Sequence, residues 1–84
     1  MYILVTFRSQ NNTMSFYQII KSYGVSARIV QTPRQVQVSC GVSVRVPYGS
    51  QGIVMDILSR RRFDTLVGVY ELTDTLIPKV RQIY

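Results

Sequence analysis

Residues 42–58 read VSVRVPYGSQGIVMDIL, and this stretch decides the fold because two hydrophobic periods meet in it. Val42, Val44 and Val46 alternate with polar residues, which predicts a half-buried strand. The turn-forming residues of 47–50 then break the strand. The apolar positions that follow recur at helical spacing, at Ile53, Val54, Ile57 and Leu58. The stretch therefore predicts a strand followed by an amphipathic helix.

The N-terminal part of the chain repeats this order of strand and helix. Residues 2–7 are β-branched and aromatic, which predicts a first strand whose alternation puts Ile3, Val5 and Phe7 on one face. Residues 9–13 are rich in helix-capping side chains and indicate the start of a helix. The apolar positions of that helix are Phe16, Ile19, Ile20 and Tyr23. Gly24 suits the position just past its end.

The remaining segments complete the topology. A second strand is predicted between Val25 and Thr32, with Pro33 ending its pairing, and a fourth over residues 66–72. Right-handed crossovers turn the order β-α-β-β-α-β into an α+β ferredoxin-like split β-α-β sandwich, in which two helices cover one face of an antiparallel sheet. We expect residues 1–72 to form this domain, with residues 73–84 as a tail that is a short helix or irregular.

Bulk composition limits the class of protein. Eighty-four residues suffice for one domain, and the hydrophobic fraction of 46% suffices for a packed core. The single cysteine excludes an intrachain disulfide. The apolar start at residues 1–5 is too short for a signal peptide or a membrane span, so we expect a cytoplasmic protein without membrane contact.

The charged residues point to an anionic partner. The formal charge is +6, and eight of the ten cations are arginines, which suit oxyanions. The four acids are scattered, so we expect them to pair with arginines or cap turns rather than act in acid–base catalysis. The triplet 60–62 fits a helix C-terminus better than a phosphate site. Without histidine, the chain lacks the ligands of a typical zinc site, and we expect no metal and no cofactor.

Cys40 is the only soft nucleophile in the chain, and small residues, Ser39 and Gly41, flank it in a predicted hairpin loop. Strand directions in the predicted sheet bring this loop to the end at which the first helix begins. We therefore expect Cys40 to converge with four side chains, those of Arg8, Asn11, Asn12 and Arg34. Helix amides and arginines would lower the pKa of the thiol and hold a small oxyanion or a persulfide. The alternative, an inert buried cysteine, stays equally open.

The segment from Pro33-Arg34 to Ser39-Cys40-Gly41, leading into a valine-rich strand, resembles a family of small bacterial selenium/sulfur carrier-like proteins. The opening strand that ends in Phe7-Arg8-Ser9 and the helix over residues 14–23 add to the resemblance. It implies that Cys40 carries sulfur or selenium between donor and acceptor proteins, with Arg34 and Ser39 as its surroundings. The basic end of the second helix and the tail after Leu72 depart from the family pattern.

Two other functions remain open at this level. A non-catalytic regulatory or interaction domain would bind a small anion, a protein or RNA with the same fold. RNA binding is the weaker form of this alternative, because the third strand offers no aromatic side chain for base stacking and Phe7 is predicted to point inward. Edge strands also allow homo-oligomers, although no residue pattern fixes an oligomeric state.

Overall fold

The computed structural model describes residues 1–36 and 41–84. The strands and α-helices are, in chain order, β1 (Tyr2–Phe7), α1 (Gln10–Ser22), β2 (Arg28–Gln31), β3 (Val42–Pro47), α2 (Gln51–Arg60), β4 (Leu66–Leu72) and β5 (Val80–Gln82). A short 3-10 helix at Tyr48–Ser50 lies between β3 and α2. The fold is therefore a mixed α+β fold, as the sequence predicts.

All five strands belong to one antiparallel sheet with the order β2-β3-β1-β4-β5. β1 is central and pairs with β3 on one side and β4 on the other, with Val5 opposite both Val44 and Val69. Its position explains its composition, because a strand with neighbours on both sides is shielded along its whole length. Residues 3–7 are all fully buried.

The two helices cover the same face of the sheet, which we call the helix-side face. It carries Ile3, Val5 and Phe7 of β1, and their side chains pack with those of both helices. The helices contribute Phe16, Ile20, Val54 and Ile57. Three phenylalanine rings contact one another in this core, with Phe7 5.6 Å from Phe16 and 5.2 Å from Phe63 between ring centroids. The inward position predicted for Phe7 is confirmed.

The opposite face, which we call the loop-side face, has a smaller core. Leu4, Tyr70 and Leu72 form it together with Val36, a residue of the connection between β2 and β3. Val36 is only 4% exposed. Val36 thus lies over the sheet on the side away from the helices, and it covers apolar side chains that would otherwise meet water.

The ends of α1 follow the capping pattern of the sequence. Ser9 is the N-cap, and its hydroxyl accepts a hydrogen bond from the amide of Asn12 at 3.3 Å. At the other end Gly24 has a φ of +81°, a left-handed conformation that favours glycine. Both predictions from the sequence are confirmed.

The C-terminal segment contains a strand, where the sequence predicted a short helix or an irregular tail. Residues 80–82 form β5, which pairs with β4 so that Glu71 lies opposite Arg81. These two side chains form an ion pair of 3.0 Å, with the Glu71 side chain 9% exposed. The apolar spacing that suggested a helix instead places Val80 and Ile83 in different clusters, one on each face of the sheet.

Gly68 lies where the C-terminal segment runs alongside β4. A Cβ at this position would lie 2.7 Å from Nε2 of Gln82 and 3.0 Å from the carbonyl oxygen of Tyr84. A side chain at residue 68 would therefore displace the end of the Gln82 side chain and crowd the backbone of Tyr84.

Neither helix has the length and hydrophobicity of a membrane-spanning segment, and this holds for all the residues that the structure describes.

Candidate functional site

Two residues of the predicted site, Ser39 and Cys40, lie outside the described residues. The roles predicted for them therefore stay predictions. The surroundings of the loop are described on both sides, from Thr32 to Val36 and again from Gly41 onward.

The base of the loop is closed by the backbone. The amide of Thr32 donates a hydrogen bond of 2.9 Å to the carbonyl of Gly41. A turn follows in which the amide of Val36 donates to the carbonyl of Pro33 at 3.0 Å. Val36 is buried while Arg34, inside the turn, is exposed. One side of the turn thus anchors the loop on the sheet, and the other presents a guanidinium to solvent.

A chain of three hydroxyl groups lies beside this base, on the loop-side face. The Thr6 and Ser43 hydroxyl oxygens are 3.2 Å apart, and those of Ser43 and Thr32 are 2.6 Å apart. Thr6 and Ser43 are fully buried. Because β1 and β3 pair Thr6 with Ser43, the register itself builds the contact. Each hydroxyl group can donate or accept, so either oxygen of each pair can be the donor.

Sequence reasoning missed the three hydroxyl groups. Thr6 and Ser43 are 37 residues apart, and each alone is typical of a strand exposed on one face. The available signal was a pair of small hydroxyl side chains on two strands predicted to be adjacent, at positions that alternate with buried valines. Cross-strand threonine–serine pairs of this kind commonly hydrogen-bond.

The first turn of α1 is tied to the segment before β4. The side-chain oxygen of Asn12 accepts hydrogen bonds from the hydroxyl of Thr65 at 2.5 Å and from its amide at 3.4 Å. The amide of Arg8 donates to the carbonyl of Thr65 at 2.8 Å. Asn12 is thus engaged in holding two segments together, while the side chains of Arg8 and Asn11 are exposed.

Two predicted site elements attach to opposite faces of the sheet. α1 packs on the helix-side face through Phe16 and Ile20, whereas the loop packs on the loop-side face through Val36. Within residues 1–36 and 41–84, no hydrogen bond or ion pair joins Arg34 to Arg8, Asn11 or Asn12. The expected convergence at one end of the sheet therefore stays a prediction from strand direction.

All four acids pair with arginines, as the sequence analysis expected. The pairs are Asp56 with Arg60, Asp64 with Arg62, Glu71 with Arg81, and Asp74 with Arg45. Four arginines then have no carboxylate partner in the described part of the chain, namely Arg8, Arg28, Arg34 and Arg61. Together with Lys21 and Lys79, these four side chains account for the formal net charge of +6.

No group of three or more metal-ligating side chains occurs within the two described ranges.

Comparison with known proteins assigns the chain to a family. A search of curated proteins and a search of solved structures gave no match. A family model described as "Putative Se/S carrier protein-like" matches residues 2–67 of the 84 residues, which include the loop and Cys40. The match ends inside β4 and leaves out the rest of that strand and β5. The protein belongs to the Se/S carrier protein-like family.

Proposed function

We propose that the protein carries sulfur or selenium on Cys40 between a donor protein and an acceptor protein. The observation that carries this proposal is family membership over residues 2–67, a range that contains the only cysteine of the chain. With neither histidine nor a second cysteine, no other side chain is suited to take up a sulfur atom covalently. The role is transport rather than catalysis.

The transfer step is thiol exchange with a persulfide. The thiolate of Cys40 attacks the outer sulfur of a persulfide on the donor protein, and a new S–S bond forms at Cys40. The S–S bond of the donor breaks, and the donor cysteine leaves as a thiolate. The acceptor thiolate repeats the step on the persulfide of Cys40. Each step moves one sulfur atom without a net redox change, and selenium follows the same sequence.

The described surroundings of the loop support this role. Exposed Arg34 supplies positive charge near Cys40 in sequence, and such charge favours a thiolate or a persulfide anion over its neutral form. Gly41 removes side-chain bulk beside the cysteine. The anchor at Val36 and the hydrogen bond from Thr32 to Gly41 fix the two ends of the segment that holds Cys40.

We also propose the ferredoxin-like arrangement for residues 1–72 and a cytoplasmic location. The element order β-α-β-β-α-β and the neighbour order β2-β3-β1-β4 support the arrangement, with β5 as an addition at the edge of β4. A reducing compartment is consistent with a chain whose single cysteine must stay a free thiol.

The test is loading by a cysteine desulfurase. Purified protein is incubated with the desulfurase and cysteine, and intact mass is recorded under non-reducing conditions. We expect a gain of one sulfur atom that dithiothreitol removes. Cys40→Ser should show no gain, whereas Arg61→Ala should load like the wild type, because it removes an arginine at the end of α2 that has no carboxylate partner among the described residues.

The interaction-domain alternative predicts that the wild type gains no sulfur atom at all. If Cys40→Ser loads sulfur as the wild type does, or if the wild type gains no mass with several desulfurases, the carrier function is wrong. Arg34→Ala separates the roles of charge and sulfur, because it should slow loading while leaving the final extent unchanged.

A further inference from the structure

Two arginines lie directly opposite each other on the loop-side face, away from the loop. β2 and β3 pair Arg28 with Arg45 in register. Side chains in such a pair start about 5 Å apart at Cβ, and like charges there are unfavourable. Arg28 has no carboxylate partner within the described ranges. An anion bound between the two guanidinium groups would offset this repulsion.

Arg45 is held in place by an aromatic ring. Its guanidinium carbon lies 3.9 Å from the ring centroid of Tyr2, a cation–π contact. This contact restricts the guanidinium before any ligand arrives, which lowers the entropic cost of binding. The two arginines and Tyr2 line a surface cavity of about 280 Å³, together with Ser26 and Asp74.

Asp74 already occupies part of the cavity. Its Oδ1 accepts a hydrogen bond of 3.2 Å from an Nη atom of Arg45, and its other oxygen contacts the amine of Met1. The side chain of Asp74 is 53% exposed, so this carboxylate is in contact with water. The chain itself thus shows that Arg45 binds a carboxylate, while Arg28 has no carboxylate partner within the described residues.

We propose that Arg28 and Arg45 form a carboxylate-binding site with Tyr2 and Ser26, in which Asp74 is an internal competitor. The ligand is a carboxylate of a small acid or of an acidic side chain. Guanidinium groups bind carboxylates through paired hydrogen bonds, and Arg28 offers its full set of donors. The site contains no cysteine and is independent of sulfur carriage.

The test is a titration of ¹⁵N-labelled protein with succinate at constant ionic strength, followed by amide chemical shifts. We expect saturable shifts at residues that line the cavity, and Arg28→Gln should weaken binding about tenfold or more. Arg61→Gln removes the same charge at the end of α2 and should weaken binding less than twofold, an effect of long-range charge alone.

Asp74→Asn gives the sharper outcome. Removal of the competitor should tighten succinate binding about two- to fivefold. Asp64→Asn changes the net charge equally but acts at the Arg62 pair, and it should leave the affinity within about twofold of the wild type. Equal effects of the two acid substitutions, or of the two arginine substitutions, would overturn the proposal.

Two further ligands define the class and the source of the anion. Inorganic phosphate should bind more weakly than succinate, and tighter phosphate binding with the same dependence on Arg28 would refute a carboxylate site. A blocked alanine peptide with one glutamate should also bind. If it binds more tightly than succinate, the source is a protein side chain, and the reverse order indicates a free acid. Failure of both carboxylates to bind overturns the proposal. Cys40→Ser should bind succinate normally, so this result is separable from loss of sulfur loading.

Discussion

The two faces of the sheet differ in what they bury. The helix-side face is covered by α1 and α2 and holds a continuous apolar core centred on three phenylalanine rings. The loop-side face holds a smaller apolar cluster, a chain of hydroxyl groups and an arginine pair. Since apolar burial supplies most of the stability, the helix-side face holds the fold together. The loop-side face contributes less apolar burial, so its polar groups can serve binding without a large loss of stability.

The loop-side face also limits which functions the fold can serve. In RNA-binding sheets the face without helices presents aromatic rings to bases. Here Tyr70 is 8% exposed and packs with Leu4 beneath Val36. The centre of this face is therefore closed to stacking, which disfavours the RNA-binding alternative.

The largest expected effect breaks the helix-side core. Phe16→Ala removes a fully buried ring from the phenylalanine cluster, and we expect a loss of about 3–5 kcal/mol in the free energy of unfolding. Val36→Ala, on the other face, should cost about 1.5 kcal/mol because it removes two methylene equivalents. Urea denaturation measures both, with fully exposed Leu76→Ala as a control near zero. Equal losses for Phe16 and Val36 would contradict the division between the faces.

A smaller loss of stability is expected at Gly68, where the C-terminal segment runs alongside β4. Gly68→Ala places a methyl group against Gln82 and Tyr84 and should cost about 1–3 kcal/mol. Gly52→Ala is the matched control, since its Cβ would meet nothing within 4 Å and it lies in α2. Alanine there should raise stability by about 0.5–1 kcal/mol, because glycine is the poorer helix former. Thermal unfolding should give opposite signs for the two substitutions, and the same sign would refute the packing argument.

The hydroxyl chain of Thr6, Ser43 and Thr32 contributes to stability on the loop-side face. Ser43→Ala leaves the Thr6 hydroxyl buried without its partner, and we expect a loss of about 1–2 kcal/mol. The double variant Thr6→Val with Ser43→Ala should lose less than the sum of the single variants, since both partners are then absent. Additive losses in urea denaturation would show that the contact contributes nothing. Thr75→Ala, in an exposed hydroxyl pair, is the control and should change little.

The smallest expected effect is a pH dependence of the free energy of unfolding that comes from Asp74, the partner of Arg45. A hydrogen bond from the Met1 amine and then the charges of that amine and of Arg45 hold the pKa of Asp74 below its ordinary value, against the opposing effect of desolvation. A lowered pKa in the folded state stabilises the protein above the unfolded pKa, near ~3.9, and this contribution is lost as pH falls through the folded pKa. Denaturation of Asp74→Asn from pH 6 down to pH 2 should therefore show a smaller acid destabilisation than the wild type. Identical slopes would contradict the role of Asp74.

The sequence was sufficient to predict the elements with a clear local pattern. β3 alternates in polarity, β1 and β4 are mainly apolar runs with β-branched and aromatic residues, and α1 has its cap at Ser9 and its stop at Gly24, so local physical rules define them. β5 could not be predicted this way. It has three residues, follows Pro78, and exists because β4 offers it an edge to pair with.

The candidate site was predictable only in its reactive residue. Cys40 follows from composition and from the family resemblance, and its role stays a prediction. The hydroxyl chain and the arginine pair depend on register between strands, which no single segment encodes. The position of Val36 on the loop-side face depends on the path of a loop, and loops carry little periodic signal.

The most direct test of the account is the number of sulfur atoms transferred per protein chain, measured together with the melting temperature, for wild type and Cys40→Ser. The account predicts one transferable sulfur atom per wild-type chain, none for Cys40→Ser, and the same melting temperature for both. Transferable sulfur on the serine variant would contradict the account, because the fold would then carry sulfur without its only thiol.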